Sequence, residues 1–107
     1  MKIITGSSVR DKNEYFVVDL IEPTKIDFVV QVEDILLSSP EKSVLFGFDY
    51  ESDNLFTKDN AMLLKPFDNL KEFSKERCSH LYLMPLEGVC TVYVMIERWE
   101  GVKYIND

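Results

Sequence analysis

TKIDFVVQVEDILLS, residues 24–38, can be read with two periods, and the fold class turns on which of them holds. Polar Asp27, Gln31 and Asp34 recur at helical spacing, opposite Phe28 or Val29, Val32, Ile35 and Leu36. Thr24 stands three residues before Asp27, a variant of the capping box, and Ser39-Pro40 stops the run. The same stretch contains Phe28-Val29-Val30, a respectable strand core. The recurring polar spacing predicts a helix over 24–38.

Working outward, residues 2–5 read as a short strand closed by Gly6-Ser7-Ser8 and a polar turn through Arg10-Asp11-Lys12-Asn13. Residues 14–21 are β-branched and aromatic and end at Glu22-Pro23, so the two strands read as a hairpin. Residues 43–50 begin apolar on both faces, as a central strand would, and an acidic loop and a short extended piece at 61–65 follow. Asp68 reads as the N-cap of a second helix running through Cys78, with Leu70 and Phe73 inward and Lys71, Glu72, Lys75 and Glu76 in water. Residues 80–86 and 89–99 look like the clearest hairpin, turning at Glu87-Gly88, with Pro85 marking an edge or an end. A last strand is expected over 102–105. No linker composition and no repeat divides the chain, so the expectation is one α+β domain over 1–107: a mostly antiparallel sheet of five or six strands covered by two helices.

Charge is unevenly spread. Between Glu14 and Asp59 lie eleven acids and three bases, 3 − 11 = −8, whereas the remainder carries nine bases and eight acids, or +1, which together give the chain's −7. A field of that sign repels nucleic acid and attracts basic partners. The 46% hydrophobic content, with seven Phe and five Tyr, provides enough apolar surface for a packed core. The first residues lack the apolar run of a signal peptide and no stretch is long enough to cross a bilayer, so the expectation is a cytoplasmic protein with Cys78 and Cys90 as reduced, packed thiols.

The segment 49–60 invites comparison with a calcium loop, since Asp49, Glu51 and Asp53 occupy its first, third and fifth positions. Asn54 stands where that loop needs glycine and Asn60 where it needs a bidentate glutamate, so a calcium site is rejected. An acidic surface for a basic partner is the reading that explains why Tyr50 and Phe56 interleave with Asp49, Glu51, Asp53 and Asp59, as aromatic anchors do in interfaces. The bland alternative is a solvated loop with both rings in the core. Glu33 and Asp34 are further candidates for partner contact. So is Trp99, although a tryptophan at the end of a strand is more often a lid over the sheet than a binding anchor.

Catalytic constellations are missing. Cys78 and His80 are two apart, a spacing that seldom lets an imidazole reach the sulfur, and with Cys90 they leave a zinc site one ligand short. Gly6-Ser7-Ser8 lacks the lysine and flanking glycines of a phosphate loop, and pairs such as Glu33 with Asp34 or Glu97 with Glu100 are what nineteen acids produce by proximity alone. No cofactor, metal or membrane partner is implied, and Lys71, Lys75 and Arg77 alternate with Glu72 and Glu76 rather than forming a nucleic-acid stripe.

In format, small and acidic, the chain is similar to bacterial immunity proteins, which block nuclease toxins by covering their positively charged substrate sites. That resemblance implies a non-catalytic inhibitor of a basic toxin and transfers no residue. The next readings are a DNA mimic of the anti-restriction or anti-CRISPR type, with acids in a regularly spaced row, and an accessory subunit of a larger complex.

Overall fold

A computed structural model describes residues 1–9, 13–66 and 71–98, with side chains in the last segment from Cys78 onward. Seven strands account for the regular structure: β1 (Lys2–Thr5), β2 (Glu14–Leu20), β3 (Thr24–Ser38), β4 (Val44–Phe48), β5 (Met62–Leu64), β6 (Lys71–Pro85) and β7 (Cys90–Glu97). Among the described residues there is no α-helix, only two single turns of 3₁₀ helix at Asp53–Leu55 and Lys58–Asn60. The expected α+β architecture with two covering helices is therefore corrected to a seven-stranded, mostly antiparallel sheet.

The first expected helix is β3, and the period that disguised it has a physical origin. Thr24, Ile26 and Phe28 are buried and alternate with Lys25 and Asp27, a period of two. The next buried residues are Val32, Ile35 and Leu37, so the inward spacing passes through four and three before returning to two. Steps of four and three are those of a helix face. Here they arise from irregular pairing, since Asp27 pairs with His80 but Val32 with Cys78, and the register shifts again before Asp34 pairs with Ser74. In the second expected helix, Cys78 and Ser74 stand opposite Val32 and Asp34, so β6 carries its own extra residues there. The charged run at 71–77 favours helix on propensity alone, but pairing of β6 along β3 outweighs it.

The strand order is β2-β7-β3-β6-β4-β5, with β1 added in parallel to the N-terminal end of β3. Neither expected hairpin forms a ladder. β1 and β2 pair with β3 and β7 instead of each other, and β3 lies between β6 and β7. Gly88 does turn the chain, with φ of 111° in the region glycine enters without steric cost. Among the described residues no helix covers the sheet, and its inner face is covered by the sheet itself. Val18 and Leu20 of β2, Val92 and Val94 of β7, Val44 and Phe46 of β4 and Leu64 of β5 belong to one buried cluster with Ile26, Phe28 and Leu83. β2 approaches β6, from which two strands separate it in the pairing order. Long strands that bend at bulges allow one sheet to pack on itself in this way.

The bend in β3 has a dedicated support. Val29 has φ of 67°, a conformation that β-branched side chains disfavour, and its N–H donates to Asp27 Oδ1 at 2.9 Å. Arg98, fully buried, donates to the carbonyls on either side of it, Phe28 at 2.8 Å and Val30 at 3.3 Å. Its guanidinium also meets Glu14 Oε1 at 2.7 Å and the Ser7 carbonyl at 3.3 Å, while Glu14 accepts from the Ser7 N–H. One side chain thus joins the ends of β1 and β7, the start of β2 and the bulge of β3. Replacing the charge without replacing its bonds would leave a mostly buried carboxylate without its counter-charge and three carbonyls without their guanidinium donor.

Candidate functional site

The acidic segment 49–60 leaves β4 and folds back over the outer face of the sheet, where Lys25, Asp27, His80 and Tyr82 point away from the main core. Three aromatic rings form a second, smaller core there. Tyr50, Phe56 and Tyr82 have centroids 5.0 to 5.5 Å apart, with Tyr50 meeting Tyr82 edge to face. Phe56 is 5% exposed and Tyr82 is 1% exposed. Gly47 makes the arrangement possible, because a Cβ at that position would overlap the Tyr50 ring.

Polar contacts hold the rest of the segment. Asp49, itself in the left-handed region with φ of 47°, accepts from the backbone N–H groups of Ser79 at 3.0 Å and His80 at 2.8 Å and returns its own N–H to the His80 carbonyl. Asp53 Oδ1 accepts from the Tyr82 hydroxyl at 2.8 Å and from Lys25 Nζ at 3.2 Å. The hydroxyl of Tyr82, and then the Lys25 ammonium, hold the Asp53 carboxyl below its usual range. Burial, followed by the Asp53 carboxylate, pushes the Tyr82 phenol well above its ordinary value. Tyr50 donates its hydroxyl proton to the Asn60 carbonyl, and Asn60 Nδ2 donates to the Leu55 carbonyl, which closes the far end of the segment.

The sequence candidates therefore divide. Asp49, Tyr50 and Asp53 are brought together, but their polar atoms are turned toward the sheet and the segment itself. Phe56 is buried beneath them, so its ring anchors the segment from below and is not offered to a partner. Glu51 and Asp59 are exposed on the outside, and Leu55 beside them is 47% exposed. Glu33 and Asp34 lie beyond the bulge on the half of β3 that pairs with β7, a separate part of the molecule. Trp99, Glu100 and the strand expected over 102–105 lie outside the described residues, as do Asp68 and Leu70.

Two chemical possibilities raised by the sequence have definite outcomes. The calcium-loop oxygens do not converge, because Asp49 is committed to two backbone donors and Asp53 to Tyr82 and Lys25. Among the described residues no three His, Cys, Asp or Glu side chains form a group that could hold a metal ion. Cys78 directs its thiol at the His80 carbonyl, 3.6 Å away, while the His80 ring lies between Asp27 at 3.8 Å and Asp49 at 3.7 Å. Both cysteines are buried and neither is in a disulfide, and burial raises the Cys90 thiol above its usual pKa, which disfavours the nucleophilic thiolate.

Sequence reasoning missed four participants. Tyr82, Lys25 and Gly47 carry no local signal, because their roles depend on which strands lie side by side. Arg98 was legible only as a charge near the end of a strand. Among the described residues no helix is long and apolar enough to cross a membrane. No protein family, curated protein or solved structure matches the chain.

Proposed function

We propose that this protein is a non-catalytic binding protein whose segment 49–60 meets a basic protein partner, in the manner of an inhibitor that covers a cationic site. The observation that carries this reading is the way the segment is held. The three-ring cluster and the bonds of Asp49 and Asp53 fix its backbone, and Glu51 and Asp59 are left facing solvent with Leu55 beside them. A surface ordered before binding loses less entropy on association, and its charge steers a cationic partner into place. The immunity-protein format and the net −7 agree with a toxin as that partner.

The test is association with the partner recovered from the native host, measured from about 50 to 500 mM salt, a range over which screening shortens from about 14 to about 4 Å. The rate should fall steeply for the wild type and be slower at low salt for E51Q/D59N. A flat salt response, or an unchanged rate for that double variant, refutes the reading.

A further inference from the structure

We propose that the outer edge of β2 is a strand-addition site for an extended segment of a basic partner protein. This goes beyond the role of segment 49–60, since it rests on a different half of the molecule. β2 is the last strand at its end of the sheet, and among the described residues nothing pairs with its far side. Alternate N–H and C=O groups along β2 therefore point away from β7 without a ladder partner. Natural edges of this length are commonly blunted by lysine, proline or a bulge. The seven residues of β2 contain none of these; their only charges are Glu14, turned to Arg98, and Asp19, and their register with β7 is unbroken from Glu14 to Leu20. The opposite edge, β5, is only three residues long, the ordinary protected kind.

The face beside this edge is built to receive side chains. Tyr15 pairs with Met95, which pairs in turn with Leu36, so an apolar row crosses three strands. Val17 pairs with Tyr93, whose ring stacks on Tyr15 at 6.3 Å with 7° between the planes. Tyr15 and Val17 are 57% and 55% exposed, and a groove of about 370 Å³ runs along the Tyr15 row. Carboxylates bound the platform at both ends, Glu97 at one and Asp19 at the other. Among the described side chains of β2, β3 and β7, no lysine or arginine stands on this platform.

These features specify the occupant's chemistry. Backbone pairing along β2 requires an extended segment, the exposed Tyr15 and Val17 favour apolar residues opposite them, and Asp19 and Glu97 favour lysine or arginine at its ends. A second copy of this chain is the poorer occupant. Antiparallel self-pairing centred on Val17 would set Tyr15 against Asp19, and would bring together two chains that each carry −7.

The experiment uses the intact chain and a synthetic seven-residue peptide with lysine at both ends and valine and threonine alternating between them. Binding is followed by amide shifts and hydrogen exchange up to about 5 mM peptide, a range that covers weak affinities. The expected result is slowed exchange and shifted resonances across 14–20 and at Tyr93. Both should be lost when the peptide is N-methylated at alternate residues, when glutamate replaces its lysines, and in the V17K variant. Val17 is exposed, so V17K should melt like the wild type; D19K is the second variant, with weakened binding expected. Shifts confined to 49–60 that survive N-methylation would overturn the proposal, as would no response at all. A dimer of the isolated chain with 14–20 already protected would assign the edge to a second copy and overturn it equally.

Discussion

The outer face of the sheet is treated differently in its two halves. Over the N-terminal half of β3 it is covered by the protein's own segment 49–60, with Phe56 and Tyr82 almost fully buried. Over the C-terminal half, Tyr15, Val17 and Met95 remain 42% to 57% exposed. Both halves display aromatic residues, and both are flanked by acids. The difference is that one aromatic cluster has its cover encoded a few residues after β4, whereas no described segment of the chain covers the other. An aromatic residue's local sequence therefore does not reveal whether it is core or surface; the path of the chain does.

The boundary between the halves is where a substitution does most harm. R98M should be the most damaging change, costing about 3 to 5 kcal/mol, because it leaves Glu14 without its buried partner and the carbonyls at the bulge unsatisfied. Urea denaturation would measure it, and a loss under about 1 kcal/mol would mean that Val29 holds its conformation unaided.

On the covered half, F56A should cost about 3 kcal/mol or more, and G47A about 1 to 3 kcal/mol through displacement of the Tyr50 ring. D49A should cost about 1 to 3 kcal/mol, since it deprives two backbone N–H groups of their acceptor. On the bare half, Y15S and V17T should fall within about 0.5 kcal/mol of wild type. Equal losses in the two halves would show that the second face is covered in solution.

A finer distinction separates the four acids of the segment. E51Q/D59N should melt like the wild type, whereas D53N should lower the melting temperature because it weakens the contacts to Tyr82 and Lys25. The sign of the pH dependence follows from the same contacts. The Asp53 carboxyl is depressed below 3.8 in the folded state, so its contribution is present above that value and lost as the pH falls through the folded pKa. The Tyr82 phenol is raised above 10.0, so its contribution is intact below that value and lost as the pH rises past it. Thermal melts of wild type and D53N should converge on acidification; parallel curves down to about pH 2 would show that the Asp53 contact does not contribute.

Much of the strand content was legible in the residues. Strands expected at 2–5, 14–21, 43–50, 61–65 and 89–99 lie close to the observed bounds, because β-branched and aromatic runs ended by Gly, Pro or polar clusters are local signals, whereas 80–86 is only the C-terminal end of the longer β6. The two helices failed for a common reason. Between Phe28 and Leu37 the bulges stretch the inward spacing to four and three residues, and no property of that stretch alone separates such a strand from a helix. At 71–77 charged helix formers are overridden by pairing along β3. Of the candidate site, the acids and aromatics of 49–60 were visible, but not their division into Asp49 and Asp53, which anchor, and Glu51 and Asp59, which face solvent.

By itself, the sequence determined what is additive along the chain: the net charge of −7 and its concentration between Glu14 and Asp59, the apolar content that permits a core, and where most extended segments begin and end. Pairing depends on energies shared between residues far apart in sequence, so it is visible in the folded chain alone. Lys25 and Tyr82 meet Asp53, Arg98 meets Glu14 and Phe28, and β3 lies between β6 and β7, in a sheet that bends at its bulges and buries its own inner face.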